Sequence, residues 1–492
     1  MSLERGERLT FLLCDKNIVA DAHIAGLENS GVTVAYQQYL GRCDVDAHDP
    51  GLHLVLQAGA NARTAMLKVE GAGRTICSIE VSVPERRLLP QASLTPASNE
   101  GTNIFKLTIN GDAETDFSEV CSARLSFPDG PGPRLRLSAE PQLNCSKRAV
   151  SALVQVDGAQ REPARVVIGN VRTSDGLIEG IAHVELPAPP WANAMAENDA
   201  KFIDVNGIRT RYFVKGTGAP LILVHGGQPS SPDASAWTWL ANFDGLAEQF
   251  RVYALDRLAM GYTDNPASND DYERYYERVV DHLLGFMDAM DLTRAGLVGH
   301  SQGTWPVTRI ALSHPERVSC LVNVDGSLVG PTDPQGRTQN FYMYQSAFLH
   351  PPEGETKESI RRGMGLYSVT GNNLLDIEVD RAYAIAQTDK FKAAAERFTA
   401  LRMSPAHPRF RMLKEETLAE LEAGKLQVPT LVIWGRDDPE GSFETGQGLF
   451  DIIARTNRHA AFHVFANSGH ASMVEYPDRF NAVVAGFCDA YM

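Results

Sequence analysis

The chain has 492 residues, 43% of them hydrophobic and 22% charged, with a formal net charge of −15. That length is too great for one ordinary domain, and the composition is that of a globular protein with buried cores. The acidic balance excludes a phosphate-tracking nucleic-acid binder, which carries a basic patch, and the longest apolar runs are far too short to span a bilayer.

From the N-terminus, a brief apolar run ends at Asp15 and Lys16, so no signal peptide is expected. The seven cysteines are scattered, odd in number and without a Cys-x-x-Cys pair, which fits thiols in a reducing cytoplasm. Up to residue 186 the pattern is β throughout. Short β-branched or alternating runs begin at Gly31, Leu52, Ala65, Ile104 and Arg134, separated by turn signals such as Asn110-Gly-Asp and Pro128-Asp-Gly-Pro. An all-β domain over residues 1–186 is expected, with scaffold or assembly as its role. His48 and His53 lack a third ligand, and no metal site is expected. A proline-rich stretch, Leu186-Pro-Ala-Pro-Pro, predicts an extended linker over residues 187–199.

From residue 200 to 492 the period changes to strand and helix in alternation. A hairpin about Asn206-Gly207 is followed by buried-strand runs at 221–224, 251–255, 295–298, 318–324, 430–434 and 461–465. Tyr272 to Met290 carries an apolar helical face. Near-continuous apolar strands between helices predict a mostly parallel sheet covered on both faces. Roughly a hundred residues separate the fourth and fifth of those runs, an insertion long enough to be functional. Helical stretches within it, at 341–348, 357–367, 378–387, 390–403 and 414–423, predict a helical cap over about 327–425, above the edge where such sheets bind ligands.

Gly299-His-Ser301-Gln-Gly303 follows a strand and opens a helix, the context a nucleophilic serine needs to stand clear of the sheet. A serine hydroxyl requires a base oriented by a carboxylate. The Gly-His turn after 461–465 supplies His470 as base, and the two acids after 430–434 supply Asp438, with Asp437 as its nearest competitor and Asp325 as a stand-in. Backbone donors for an oxyanion are expected at Gln302 and, in the loop His225-Gly-Gly227, at Gly227.

Together these residues resemble the α/β-hydrolase superfamily, from about residue 200 to the C-terminus, and within it the meta-cleavage-product hydrolases, which split carbon–carbon bonds in ring-fission products. The stretches that carry the closer resemblance are His225-Gly-Gly-Gln-Pro with Ser235-Ala-Trp, Arg251-Val-Tyr-Ala-Leu-Asp with Gly261-Tyr-Thr-Asp264, and Ile377-Glu-Val-Asp-Arg381-Ala-Tyr. The resemblance implies an α/β-hydrolase fold without cofactor and makes Arg381 a candidate for the substrate carboxylate. A solvated helix charge is the competing reading of Arg381. The chain departs from that group at His300, Trp239 and Ala471, where the group's residues touch the dienoate. His300 and Trp239 are therefore substrate-contact candidates, and an esterase or lactonase stands as the alternative to carbon–carbon cleavage. A small molecule is the expected partner, with no nucleic acid and no membrane, and self-association is expected through the β domain or the hydrolase domain.

Overall fold

The computed structural model describes residues 190–332, 355–369, 376–401 and 407–492 throughout and, between residues 8 and 184, strands with a few turn residues. The expected helix at 341–348, residues 187–189 and His48 lie outside the described residues. The chain divides into two compact units, one built from most of residues 1–185 and one that takes in Leu186–Met492.

In the first unit every described element is a strand. Val32–Leu40, Gly51–Ala58, Ala65–Gly71, Ile104–Asn110 and Leu135–Leu137 fall where the β pattern predicts them. Gly51–Ala58 pairs antiparallel with Arg8–Cys14 on one side and Val32–Leu40 on the other. Ala65–Gly71 pairs with Arg74–Val81, and Leu67, Val69 and Val81 from that pair are fully buried with Leu56.

The second unit opens differently from the extended linker expected of its prolines. Pro190–Asn193 and Glu197–Asp199 are 3₁₀ turns, and Ala194 and Met195 are buried. Apolar side chains after the prolines give this segment something to bury, and the Met195 carbonyl accepts the Trp237 indole N–H at 2.9 Å.

Eight strands then form one sheet: β1 (Lys201–Val205), β2 (Ile208–Lys215), β3 (Pro220–Val224), β4 (Arg251–Leu255), β5 (Ala295–His300), β6 (Val318–Val324), β7 (Thr430–Gly435) and β8 (Ala460–Phe465). Their order is β1-β2-β4-β3-β5-β6-β7-β8. β1 and β2 are the antiparallel hairpin, closed by Asn206 and Gly207, both in the left-handed region that such a two-residue turn demands. β2 is antiparallel to β4, and from β4 to β8 every pairing is parallel. Alternate residues feed opposite cores: Ile222 and Val224, Tyr253 and Leu255, Val432 and Trp434 face one, while Leu221 and Leu223, Val252 and Ala254, Leu431 and Ile433 face the other. Burial on both faces is why these strands read as continuous apolar runs.

Helices α1 (Leu240–Ala247), α2 (Tyr275–Ala289) and α3 (Thr304–Ser313) cover the sheet. The helical pattern from Tyr272 is broken at Arg274, so a short turn of helix, Asn269–Glu273, precedes α2. Between β6 and β7 the described residues form four helices: α4 (Lys357–Gly365), α5 (Asp376–Gln387), α6 (Asp389–Ala400) and α7 (Pro408–Glu422). Among the described residues no helix is long and apolar enough to cross a membrane.

Candidate active site

The turn at the end of β5 presents Ser301. Its φ of +50° is left-handed, a conformation that costs a non-glycine residue about 1–3 kcal/mol and is retained where function over-determines it. Two glycines make the turn sterically feasible. A Cβ on Gly303 would collide with the Val224 and His225 carbonyls, and one on Gly299 with the Gly303 carbonyl. The segment Ser301–Gly303 is a 3₁₀ turn that leads directly into α3.

The loop after β3 lies against the serine. A Cβ on Gly226 would stand 2.7 Å from that of Ser301, and Gly227 has a φ of +75°. His225 fixes this loop: its Nδ1–H donates to the Gly226 carbonyl at 2.8 Å, while Nε2 accepts the Arg257 N–H at 3.0 Å. Burial and the nearby Arg257 charge hold its pKa down to about 3, so the ring stays neutral and keeps that tautomer. Asp256, just past β4, ties the same region together. It accepts the backbone N–H groups of Ala236 and Tyr262, each at 2.7 Å, and a bidentate pair from Arg211.

His470 ends a turn that follows β8, with Asn467 left-handed at φ +53°. Its Nδ1 bonds Asp438 Oδ2 at 2.7 Å, and both side chains are essentially inaccessible. Asp438 is held in turn by the backbone N–H groups of Glu440 (2.8 Å) and Gly441 (3.0 Å) on Oδ1. Asp437 is exposed at the surface and makes no such approach, though its N–H donates to the Ser468 carbonyl. Asp325 is spoken for by β7, accepting the Gly435 N–H at 2.8 Å. Burial, then the charge of Asp438, holds its pKa well above the carboxylate range.

His300 lies under the histidine and not only beside the substrate space: its Nε2–H donates to the His470 carbonyl at 2.7 Å. Burial, then the proximity of His470, keeps it neutral. Trp239 corrects the sequence reading. It is wholly buried, packed edge-on to His300 and against Phe480, and takes no part in the pocket wall. Trp237 and Thr238 line the pocket in its place. In the 3₁₀ turn Ala236–Trp239, a shift of one residue rotates a side chain by about a third of a turn, toward the core.

Ser301, His470, Gly227, Gln302, His300 and Arg381 all border one cavity of about 120 Å³. Arg381, on α5, is buried, stacks 4.5 Å above the Trp237 ring and donates through Nη2 to the Met195 carbonyl at 3.1 Å. Its Nη1 is buried without a hydrogen bond. Burial disposes of the solvated-charge reading of this residue.

Sequence reasoning missed two pocket residues that touch the histidine. The Tyr367 carbonyl accepts the His470 N–H at 2.6 Å. Glu440 Oε2 lies 3.1 Å from His470 Nε2. Glu440 stands only two residues beyond Asp438 in the same loop, and that proximity was its one available signal.

Comparison with known proteins places this geometry in context. The family model described as the alpha/beta hydrolase fold matches residues 219–477. A 2-hydroxymuconate semialdehyde hydrolase of a Pseudomonas species is 33% identical over 282 residues, covering 57% of this chain and 90% of the relative. A 2-hydroxy-6-oxononadienedioate/2-hydroxy-6-oxononatrienedioate hydrolase of Paraburkholderia phymatum is 29% identical, covering 63% of this chain and 99% of the relative. Among solved structures, a mutant meta-cleavage product hydrolase shares 26% identity at a TM-score of 0.47, covering 60% of this chain and 99% of that one.

Proposed function

Because this chain belongs to the alpha/beta hydrolase fold family, we propose that it hydrolyses a carbon–carbon bond beside a carbonyl in a small acid derived from an aromatic ring. In this reading Ser301 is the nucleophile, His470 its base and Asp438 the acid that orients the base. Ser301 Oγ adds to the carbonyl as its proton passes to His470, and the N–H groups of Gly227 and Gln302 hold the oxyanion. The carbon–carbon bond then breaks with its electron pair delocalised toward a second carbonyl, and the departing carbon takes the proton back. Water clears the acyl-enzyme by the same steps. Two relatives named for ring-fission products support the bond assignment.

The observation that carries the reading is Arg381, buried at the cavity that holds Ser301 with one guanidinium nitrogen, Nη1, making no hydrogen bond. A planar fork with a free N–H suits a carboxylate. Arg381→Gln is expected to raise KM for a vinylogous diketo acid roughly thirtyfold, about 2 kcal/mol for a lost charged hydrogen bond, and to leave KM for an aryl acetate unchanged. Equal effects on both substrates would remove the anchor.

One observation favours an ester or lactone instead. Asp233, Glu378, Glu440 and Glu475 border the same cavity, and four carboxylates penalise an anionic substrate. A panel of diketo acids, aryl esters and lactones ranked by kcat/KM decides between the two. For the N-terminal unit we propose an all-β scaffold that serves self-association of a cytoplasmic enzyme, supported by its content of strands alone among the described elements. Light scattering that gives a monomer for the intact chain removes the self-association.

A further inference from the structure

One turn brings two carboxylates to one imidazole. Asp438 Oδ1 gathers the N–H groups of Glu440 and Gly441, and the Trp434 indole N–H clamps the Gly441 carbonyl at 2.9 Å. The chain reverses within these residues. Asp438 meets His470 at Nδ1, while Glu440 returns to the other ring nitrogen, with Oε2 at 3.1 Å from Nε2. Both the histidine and the Glu440 side chains are 2% exposed. The approach is close, yet Nε2 makes no hydrogen bond. Glu440 thus approaches Nε2 without taking its N–H in a hydrogen bond.

We propose that Glu440 is a positioning residue that sets the pH at which His470 becomes a base, by stabilising the imidazolium from the Nε2 side while leaving its proton free for transfer. This rests on the reading of His470 as the base for Ser301. Among the other groups around the ring only Asp325 acts in the same direction, and it ranks after Asp438 and Glu440. His300, with ring centroids 5.0 Å away, is held neutral by its burial, and burial pushes the Asp325 carboxyl well above the usual carboxylate range, which weakens its charge. The Tyr367 ring lies tilted at 5.4 Å and burial raises its pKa well above its usual value, an effect to which Glu440 and Asp233 add. Glu475 spends its carboxylate on Ser468, Gly469 and Val369. For His470 itself, burial opposes the charge, but Asp438 and then Glu440 outweigh it and push the ring up to about 10.

The sign follows from the chemistry. Only neutral His470 accepts the Ser301 proton, so a raised pKa moves the acid limb of reactivity to higher pH, and loss of Glu440 brings it back down. The rate at which an alkyl fluorophosphonate labels the intact chain measures this without a known substrate. In that step Ser301 Oγ bonds to phosphorus, fluoride leaves and His470 takes the proton. Between pH 5 and 11 the native enzyme is expected to show an alkaline acid limb. Glu440→Gln is expected to move the limb down by a unit or more, raising labelling at pH 7 about tenfold, and Glu440→Asp, which withdraws the charge, to fall between. A native limb near the ordinary histidine value overturns the proposal. So does either variant that keeps a native circular dichroism spectrum and an unmoved or raised limb. Labelling of Ser301→Ala at the native rate strikes instead at the reading of the site.

Discussion

Ser301→Ala is expected to lower kcat on the order of a millionfold while the protein folds and binds as before. The size of that loss follows from what the residue does. The methyl group fits the same left-handed position at φ +50°, so the turn, α3 and the Gly226 contact survive. Only the covalent step disappears, and the residual rate is what the oxyanion donors and binding alone provide, roughly 10³–10⁴ over water. Trp237 borders the cavity, so ligand binding is expected to quench its fluorescence. Unchanged quenching with turnover gone is the expected pair of results. Turnover within tenfold of the native enzyme excludes Ser301 as nucleophile.

The second large effect is expected from Asp438→Asn, a drop in kcat of about 10⁴. An amide can still accept the Glu440 and Gly441 N–H groups on its oxygen, so the turn persists. Its NH₂ then faces Nδ1 of His470 and forces the tautomer with its proton on Nε2, where a base must have a lone pair. The companion substitutions sharpen the test. Asp437→Asn alters an exposed side chain and is expected to leave kcat unchanged. Burial raises the Asp325 pKa and favours its neutral form, so Asp325→Asn is close to an isosteric replacement that still accepts the Gly435 N–H. A loss at Asp325 or Asp437 as great as at Asp438 reassigns the triad acid.

The parts of this site legible in the sequence share one property: each follows directly from the end of a strand. β5 and β7 are buried throughout and β8 is a mostly apolar, partly buried edge strand, so the residues just beyond them, Ser301, Asp438 and His470, are located by counting. The hairpin at Asn206-Gly207 is legible because only a few residue types accept two consecutive left-handed positions. Side-chain direction inside a tight turn follows no such count. Trp239 and Trp237 are two residues apart in one 3₁₀ turn, yet one faces the core and the other the cavity. Glu440 is the same failure in reverse, since the reversal that returns it to His470 depends on backbone bonds to Asp438 that no residue pattern encodes. Tyr367 contributes its backbone carbonyl, an atom every residue has, and so leaves no mark in the sequence at all.

That last bond has a consequence for turnover. The segment just after α4 is fastened to the histidine loop twice, by His470 N–H to the Tyr367 carbonyl and by Val369 N–H to Glu475. Glu475 also accepts from Ser468 and Gly469, the two residues that lead into His470. Lifting residues 367–369 would sever both fastenings at once. The seat of His470 is therefore set in part by this segment, and a displacement of one carries the other with it.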